Sequence, residues 1–149
     1  MSHYYTCEHF SIKEFVPEVV WMDRGEKAWQ LMDLHLLENW DSLRDQLGCT
    51  ITLNNWSWGG ERQASVLRIA GQPHYTAYSQ HTFGRAGDGL LEEITAEEVR
   101  TRIKKRDIIL PHPVIFEVDV GWIHMDTRQS TDMVTFVNLK EVVWTYRGD

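Results

Sequence analysis

Hydrophobic positions along the chain fall into short groups, and most groups have a readable period. Leu36, Trp40, Leu43 and Leu47 recur at intervals of three and four, which is one face of an amphipathic helix. The spacing predicts a helix over 33–47, with Gly48 where a left-handed C-terminal cap belongs. Upstream, Ser11-Ile12-Lys13-Glu14 is a capping box, whose hydroxyl and carboxylate satisfy orphan N–H groups at a helix start. Pro17 follows so closely that this helix must be short. Ile51-Thr52-Leu53 makes a short strand candidate. From 54 to 89 the chain is rich in Gly, Ser, Asn and aromatics and has little period, so it is expected to be irregular. Long irregular stretches in compact domains are mostly functional or tied down.

A second capping box, Thr95-Ala96-Glu97-Glu98, opens a helix expected to run to about Lys105, and Pro111 and Pro113 close that region. Stretches 114–120 and 122–127 read as strands parted by a kink at Gly121, and 133–137 and 142–146 as two more. Helices come early and strands late, which predicts an α+β fold with an antiparallel sheet. No repeat, low-complexity run or linker divides the chain, so 1–149 is read as one domain.

Composition narrows the chemistry. Lys and Arg number 15 against 22 Asp and Glu, a net charge of −7. Nonspecific phosphate binding needs a positive face, so a nucleic-acid partner is not expected. Cys7 and Cys49 are too few for a disulfide framework or a Cys-rich zinc site. Seven histidines mean that any metal must be held by imidazole and carboxylate. No stretch approaches the roughly 18 apolar residues of a membrane span. The opening MSHYYTCEHF has neither the basic nor the apolar region of a signal peptide. Synthesis in a reducing cytoplasm, with both cysteines as thiols, is the expectation.

The informative segment is Ser79-Gln80-His81-Thr82-Phe83-Gly84-Arg85-Ala86-Gly87-Asp88. Its small residues let the backbone fold so that an imidazole and a carboxylate converge. A second segment, Trp122-Ile123-His124-Met125-Asp126, puts another His in a strand. Two His and one Asp make three protein ligands and leave a fourth tetrahedral position open, the pattern of a catalytic zinc site. Asp126 shares the face of His124 in a regular strand. It is either support for that ligand or a partner for Arg128.

These motifs resemble the zinc D-alanyl-D-alanine carboxypeptidase family of peptidoglycan peptidases. That family includes D-Ala-D-Ala dipeptidases and phage L-alanyl-D-glutamate endolysins, and shares its fold with the hedgehog signalling domain. The pattern S-x-H-x-x-G-x-A-x-D is matched by Ser79, His81, Gly84, Ala86 and Asp88. A Glu followed by W-x-H is matched by Glu117, Trp122 and His124, and the upstream Arg by Arg68. The likeness runs from Phe10-Ser11-Ile12-Lys13-Glu14 to Arg128. It implies a small antiparallel sheet with helices packed on one side. It also implies Zn2+ held by His81, Asp88 and His124, with Glu117 as general base. Arg68 would bind a substrate carboxylate or carbonyl oxygen, and Ser79 would bond near the metal or substrate. The implied reaction is hydrolysis of an amide in peptidoglycan stem peptides, by a D-Ala-D-Ala carboxypeptidase or an endolysin-type endopeptidase. A monomer of phage type, reaching the cell wall after release or delivery and needing no membrane, is the expected setting. The alternative is a non-catalytic, zinc-stabilised binding module, such as a cell-wall-binding virion component.

Three departures from the family pattern stand out. Val66 occupies the place of a usual Gly, and Gly89 that of an apolar residue after Asp88. Glu117 lies seven residues before His124, one more than in several members, which leaves Asp119 as a competing base if a bulge re-aims the strand. Elsewhere, His74 either lines the cleft or is a solvated loop residue. Arg100, Arg102, Lys104, Lys105 and Arg106 read as the wet face of a helix. Trp56 and Trp58 read as core or cleft walls, and Trp122 as packing beside the metal.

Overall fold

The computed structural model describes residues 3–138 and 142–146. Helix α1 (Glu18–Arg24) is followed by α2 (Leu34–Leu47) and α3 (Ala96–Lys104). The strands are β1 (Ile51–Thr52), β2 (Ala86–Leu91), β3 (Val114–Glu117), β4 (Ile123–Asp126), β5 (Val134–Val137) and β6 (Val142–Tyr146). This is an α+β fold.

Helix α2 forms where the apolar spacing places it, and its ends are chemically defined. Asp33 Oδ2 accepts the Leu36 N–H at 3.0 Å, and Gly48 closes the helix at φ 67°. The Thr127 hydroxyl donates to the same Asp33 oxygen at 2.7 Å, which ties the start of α2 to the end of β4. The first capping box yields a single 3-10 turn, Ile12–Glu14, with the Ser11 N–H on Glu14 Oε2 at 2.8 Å. Pro17 then serves as N-cap of α1, a helix that the apolar pattern does not predict. None of its residues is buried, so it has no apolar stripe to read.

Among the described residues the strands lie in the order β1-β2-β4-β3-β5-β6. Strand β2 falls inside the stretch expected to be irregular. Its inward positions are Gly87 and Gly89, so no apolar alternation announces it. The fully buried Trp40 of α2 requires those glycines: a Cβ on Gly87 would stand 2.9 Å from Trp40 Nε1, and one on Gly89 2.8 Å from Ile51 Cγ2. The tight contact with Trp40 and Ile51 also accounts for Gly89 at a position where the resembled family has an apolar residue.

The expectation of an all-antiparallel sheet fails at one pair. Strands β3 and β5 are parallel, with Val114 beside Val134 and Phe116 beside Phe136. The cause is the path of the chain. Strand β4 returns antiparallel to β3 and ends beside its start, with Asp126 opposite Ile115. Crossing that end to the far side of β3 makes the next strand run parallel to it.

Alternation gives the sheet two unlike faces. Val114, Phe116, Ile123, Met125 and Phe136 are buried on one, joined there by Leu36, Leu37, Trp40 and Leu43 of α2 and Val99 and Ile103 of α3. The other face carries Asp88, Glu117, His124 and Asp126. Arg100 departs from the wet-face reading: it is 3 % exposed and donates to the carbonyls of Glu117, Val120 and Trp122, capping the turn between β3 and β4.

Candidate metal centre

His81 sits on a 3-10 turn, Gln80–Phe83, built to hold it. The Ser79 hydroxyl accepts the His81 N–H at 3.2 Å, and Gly84 ends the turn at φ 67°. A Cβ on Gly84 would run into the Leu31 carbonyl, so the glycine is required twice over. The His81 ring is buried, and its Nδ1 lies 2.8 Å from the Val66 carbonyl. A carbonyl only accepts, so Nδ1 carries the hydrogen and Nε2 keeps its lone pair. The contact is to backbone, so it does not depend on the Val66 side chain.

The sheet register supplies the other two groups. Asp88 on β2 stands directly opposite His124 on β4, so both project from one face. His124 Nδ1 is 2.8 Å from Asp88 Oδ1, and His81 Nε2 is 3.4 Å from Asp88 Oδ2. One donor atom from each of His81, Asp88 and His124 lies within 4.8 Å of the others, a group able to hold a metal ion. On its far side, His124 Nε2 meets Asp126 Oδ2 at 3.1 Å. Asp126 is fully buried and gripped by Arg128, whose Nε and Nη2 donate at 2.8 and 2.7 Å. Arg128 is thus the partner of Asp126, and the carboxylate it anchors is hydrogen-bonded in turn to His124.

Electrostatics separate the two imidazoles. Burial pushes His81 down to about 4; the attraction of Asp88 only partly offsets it. Burial also opposes a charge on His124, but hydrogen bonds and charge from Asp126 and Asp88 outweigh it and push it up to about 9. Asp88 and Asp126 are each disfavoured as anions by burial, yet their cationic neighbours hold both below the usual carboxylate range. A metal ion held by His124 Nδ1 would have to displace a proton from that nitrogen, which couples binding to pH. The donor set, two imidazoles and one carboxylate with no thiolate, fits zinc or another borderline divalent metal.

The group opens onto a cavity of about 770 Å³ that is also lined by Arg62, Arg68, His74, Glu117 and Trp122. Strand register explains the presence of Glu117. Phe116 pairs with Met125, so Glu117 shares the face of His124. Asp119, the competing base, is exposed at φ 61° in the turn beyond β3 and does not line this cavity. Arg68 does line it, with Nε on the Ala64 carbonyl at 2.8 Å and Nη2 on Asp88 Oδ2 at 2.9 Å. Ser79 does not line the cavity; its hydroxyl accepts the His81 N–H. Trp122 borders the site and is 39 % exposed rather than packed away. Two contributors lay outside the sequence reading. Arg62 had no motif around it, and Arg100 was hidden in a run of basic residues.

No known protein family, characterised protein or solved structure matches this chain. Among the described residues, no helix is long and apolar enough to cross a membrane.

Proposed function

We propose that this chain is a zinc-dependent amidohydrolase acting on peptidoglycan stem peptides, of carboxypeptidase or endolysin type, with a hedgehog-like fold. The observation that carries the reading is the convergence of His81, Asp88 and His124 on the floor of an open cavity with Glu117 in its wall. The motif likeness to the zinc D-Ala-D-Ala carboxypeptidase family supplies the substrate class.

His81 Nε2, an Asp88 oxygen and His124 Nδ1 would hold the ion. When bound, zinc supplies Lewis acidity that makes water and an amide carbonyl reactive near neutral pH. Glu117 then takes a proton from the attacking water and returns it to the leaving amine, so that amide and water become carboxylate and amine. Arg68 brings a positive charge to the substrate's carbonyl or carboxylate oxygens. Asp126 and Arg128 keep the His124 ring aimed.

The test is digestion of purified peptidoglycan with added zinc, followed by mass analysis of the products, beside His81→Ala, Glu117→Gln and Asp119→Asn. Wild type and Asp119→Asn should release the same fragment, and the other two should release little. No release by zinc-loaded wild type refutes the enzyme. Retained binding to the wall without cleavage would then identify the non-catalytic module.

A further inference from the structure

Helix α1 leaves an apolar face in water. None of its residues is buried, and Val19 and Met22, three apart along it, are 60 % and 76 % exposed. Beside Val19 lies a groove of about 580 Å³ with Leu31, Leu67 and Phe83 in its lining, and Asp23 and Arg24 carry charge along it. Phe83 is itself 47 % exposed and belongs to the turn that presents His81. Met22 does not line this groove, so it stands outside as an unbranched, adaptable side chain with nothing around it. Exposed apolar surface gathered in one place and edged by charge is the mark of an interaction face.

The charges beside the groove select its occupant. The chain turns at Gly25, φ 55°, and Asp23, Arg24, Glu26 and Lys27 on either side of it are all exposed and line one hollow. An isologous contact pairs residue i with j and j with i, so a two-fold axis at Gly25 sets 23 against 27 and 24 against 26. Each of those meetings is acid against base: Asp23 with Lys27, and Arg24 with Glu26. The four charges cancel within one chain, which makes this corner neutral on a molecule that carries −7. Net charge of that size holds copies apart elsewhere on the surface, but not here. The local bonds leave the groups available. Arg24 Nε meets Asp23 Oδ2 at only 3.5 Å between exposed side chains, a weak pair. Glu26 Oε2 accepts the Trp29 indole N–H at 3.1 Å, which steadies the carboxylate and leaves its other oxygen over.

We propose that this corner is a two-fold interface between two copies of the chain, with Met22 of each copy entering the apolar groove of the other and the charges around Gly25 setting the register. Apolar burial supplies the affinity and the four charge pairs the specificity, the usual division between the centre and the rim of an interface. The pair departs from the monomer that the family likeness implies. It is independent of the hydrolase reading, because the groove and the metal cavity have no lining residue in common and each copy keeps its own cavity open. It also covers Phe83, so the turn that holds His81 is packed on its outer side only in the pair.

The experiment is sedimentation velocity on the full chain over about 1–500 µM, which brackets a micromolar dissociation constant. Wild type should pass from one chain to two within that range and form nothing larger, as a closed two-fold pair requires. Met22→Ser should weaken the pair about tenfold or more. Asp23→Lys and Lys27→Asp, each alone, should weaken it by a similar factor, because symmetry turns one substitution into two like-charge contacts. The double variant should recover most of that loss. All three positions are exposed, and thermal melts verify that each variant is folded. The proposal is overturned if wild type stays a single chain throughout, if the pair is indifferent to all three variants, or if the double variant is no better than the weaker single. A single-chain wild type that binds an apolar fluorescent probe through Met22 would give the face to a different partner and equally overturns the second copy. Failure to cleave peptidoglycan would remove the hydrolase and leave the pair standing.

Discussion

Arg100→Met should destabilise the protein by about 2–4 kcal/mol. The side chain is 3 % exposed, and its Nη1 and Nη2 donate to the carbonyls of Trp122, Glu117 and Val120 at 3.2, 3.4 and 2.9 Å. Each hydrogen bond from a charged donor is worth roughly 1.5–3 kcal/mol. The sum must be discounted, because Gly121 and Trp122 are exposed and water can reach part of the turn once the guanidinium leaves. The Glu97 pair at 3.1 Å adds little, since that carboxylate is 67 % exposed. Met preserves the aliphatic packing, so the loss reports the three carbonyls rather than a cavity. Urea unfolding at neutral pH reads the change directly. Glu97→Gln is the control and should stay within about 0.5 kcal/mol of wild type. If Arg100→Met also stays within that margin, or if Glu97→Gln matches its loss, the carbonyl-capping argument is wrong. On the proposed hydrolase reading, the same substitution should reduce both turnover and zinc affinity, because the capped turn joins Glu117 to the strand that carries His124.

Three further outcomes follow from the site and the sheet. Asp126→Asn should weaken zinc binding about 10- to 100-fold in a chelator competition, as loss of a ligand's orienting carboxylate does; unchanged affinity would mean that the His124 ring needs no such support. Gly89→Ala should cost about 1–3 kcal/mol, since its Cβ would lie 2.8 Å from Ile51 Cγ2 and 2.9 Å from Trp40 Cη2. Combining it with Trp40→Leu should recover part of that loss, and strict additivity would argue against the clash. In the metal-free protein, His124 is pushed up to about 9, so the folded state holds its proton more tightly than the unfolded chain. That stabilisation is complete below about pH 6.5 and disappears as pH rises through about 9. His81, pushed down to about 4, acts at the other limb: stability falls as pH drops from about 6.5 to 4. Chemical denaturation across pH should show both limbs, and His124→Gln should remove the alkaline one.

Local chemistry carried a large part of this protein in the sequence. The Leu36, Trp40, Leu43 and Leu47 stripe with Gly48 determines α2, because helix period and a left-handed cap are properties of neighbouring residues. The spacing of Ser79, His81, Gly84 and Asp88 likewise marks a group able to hold a metal, since the turn that presents His81 is closed by its own Ser and Gly. Strand β2 was not legible, because its inward glycines answer to Trp40, which is distant in the chain and adjacent only after folding. The parallel pairing of β3 with β5 depends on which edge of the sheet the chain crosses to, and no local period encodes that choice. The same holds for charge. Arg62, Arg68, Arg100 and Arg128 are alike in the sequence, yet one faces a cavity, one meets the Asp88 carboxylate, one caps a turn and one anchors Asp126. A guanidinium takes its role from the carbonyls and carboxylates brought within 3 to 4 Å of it, and only the tertiary structure brings them there.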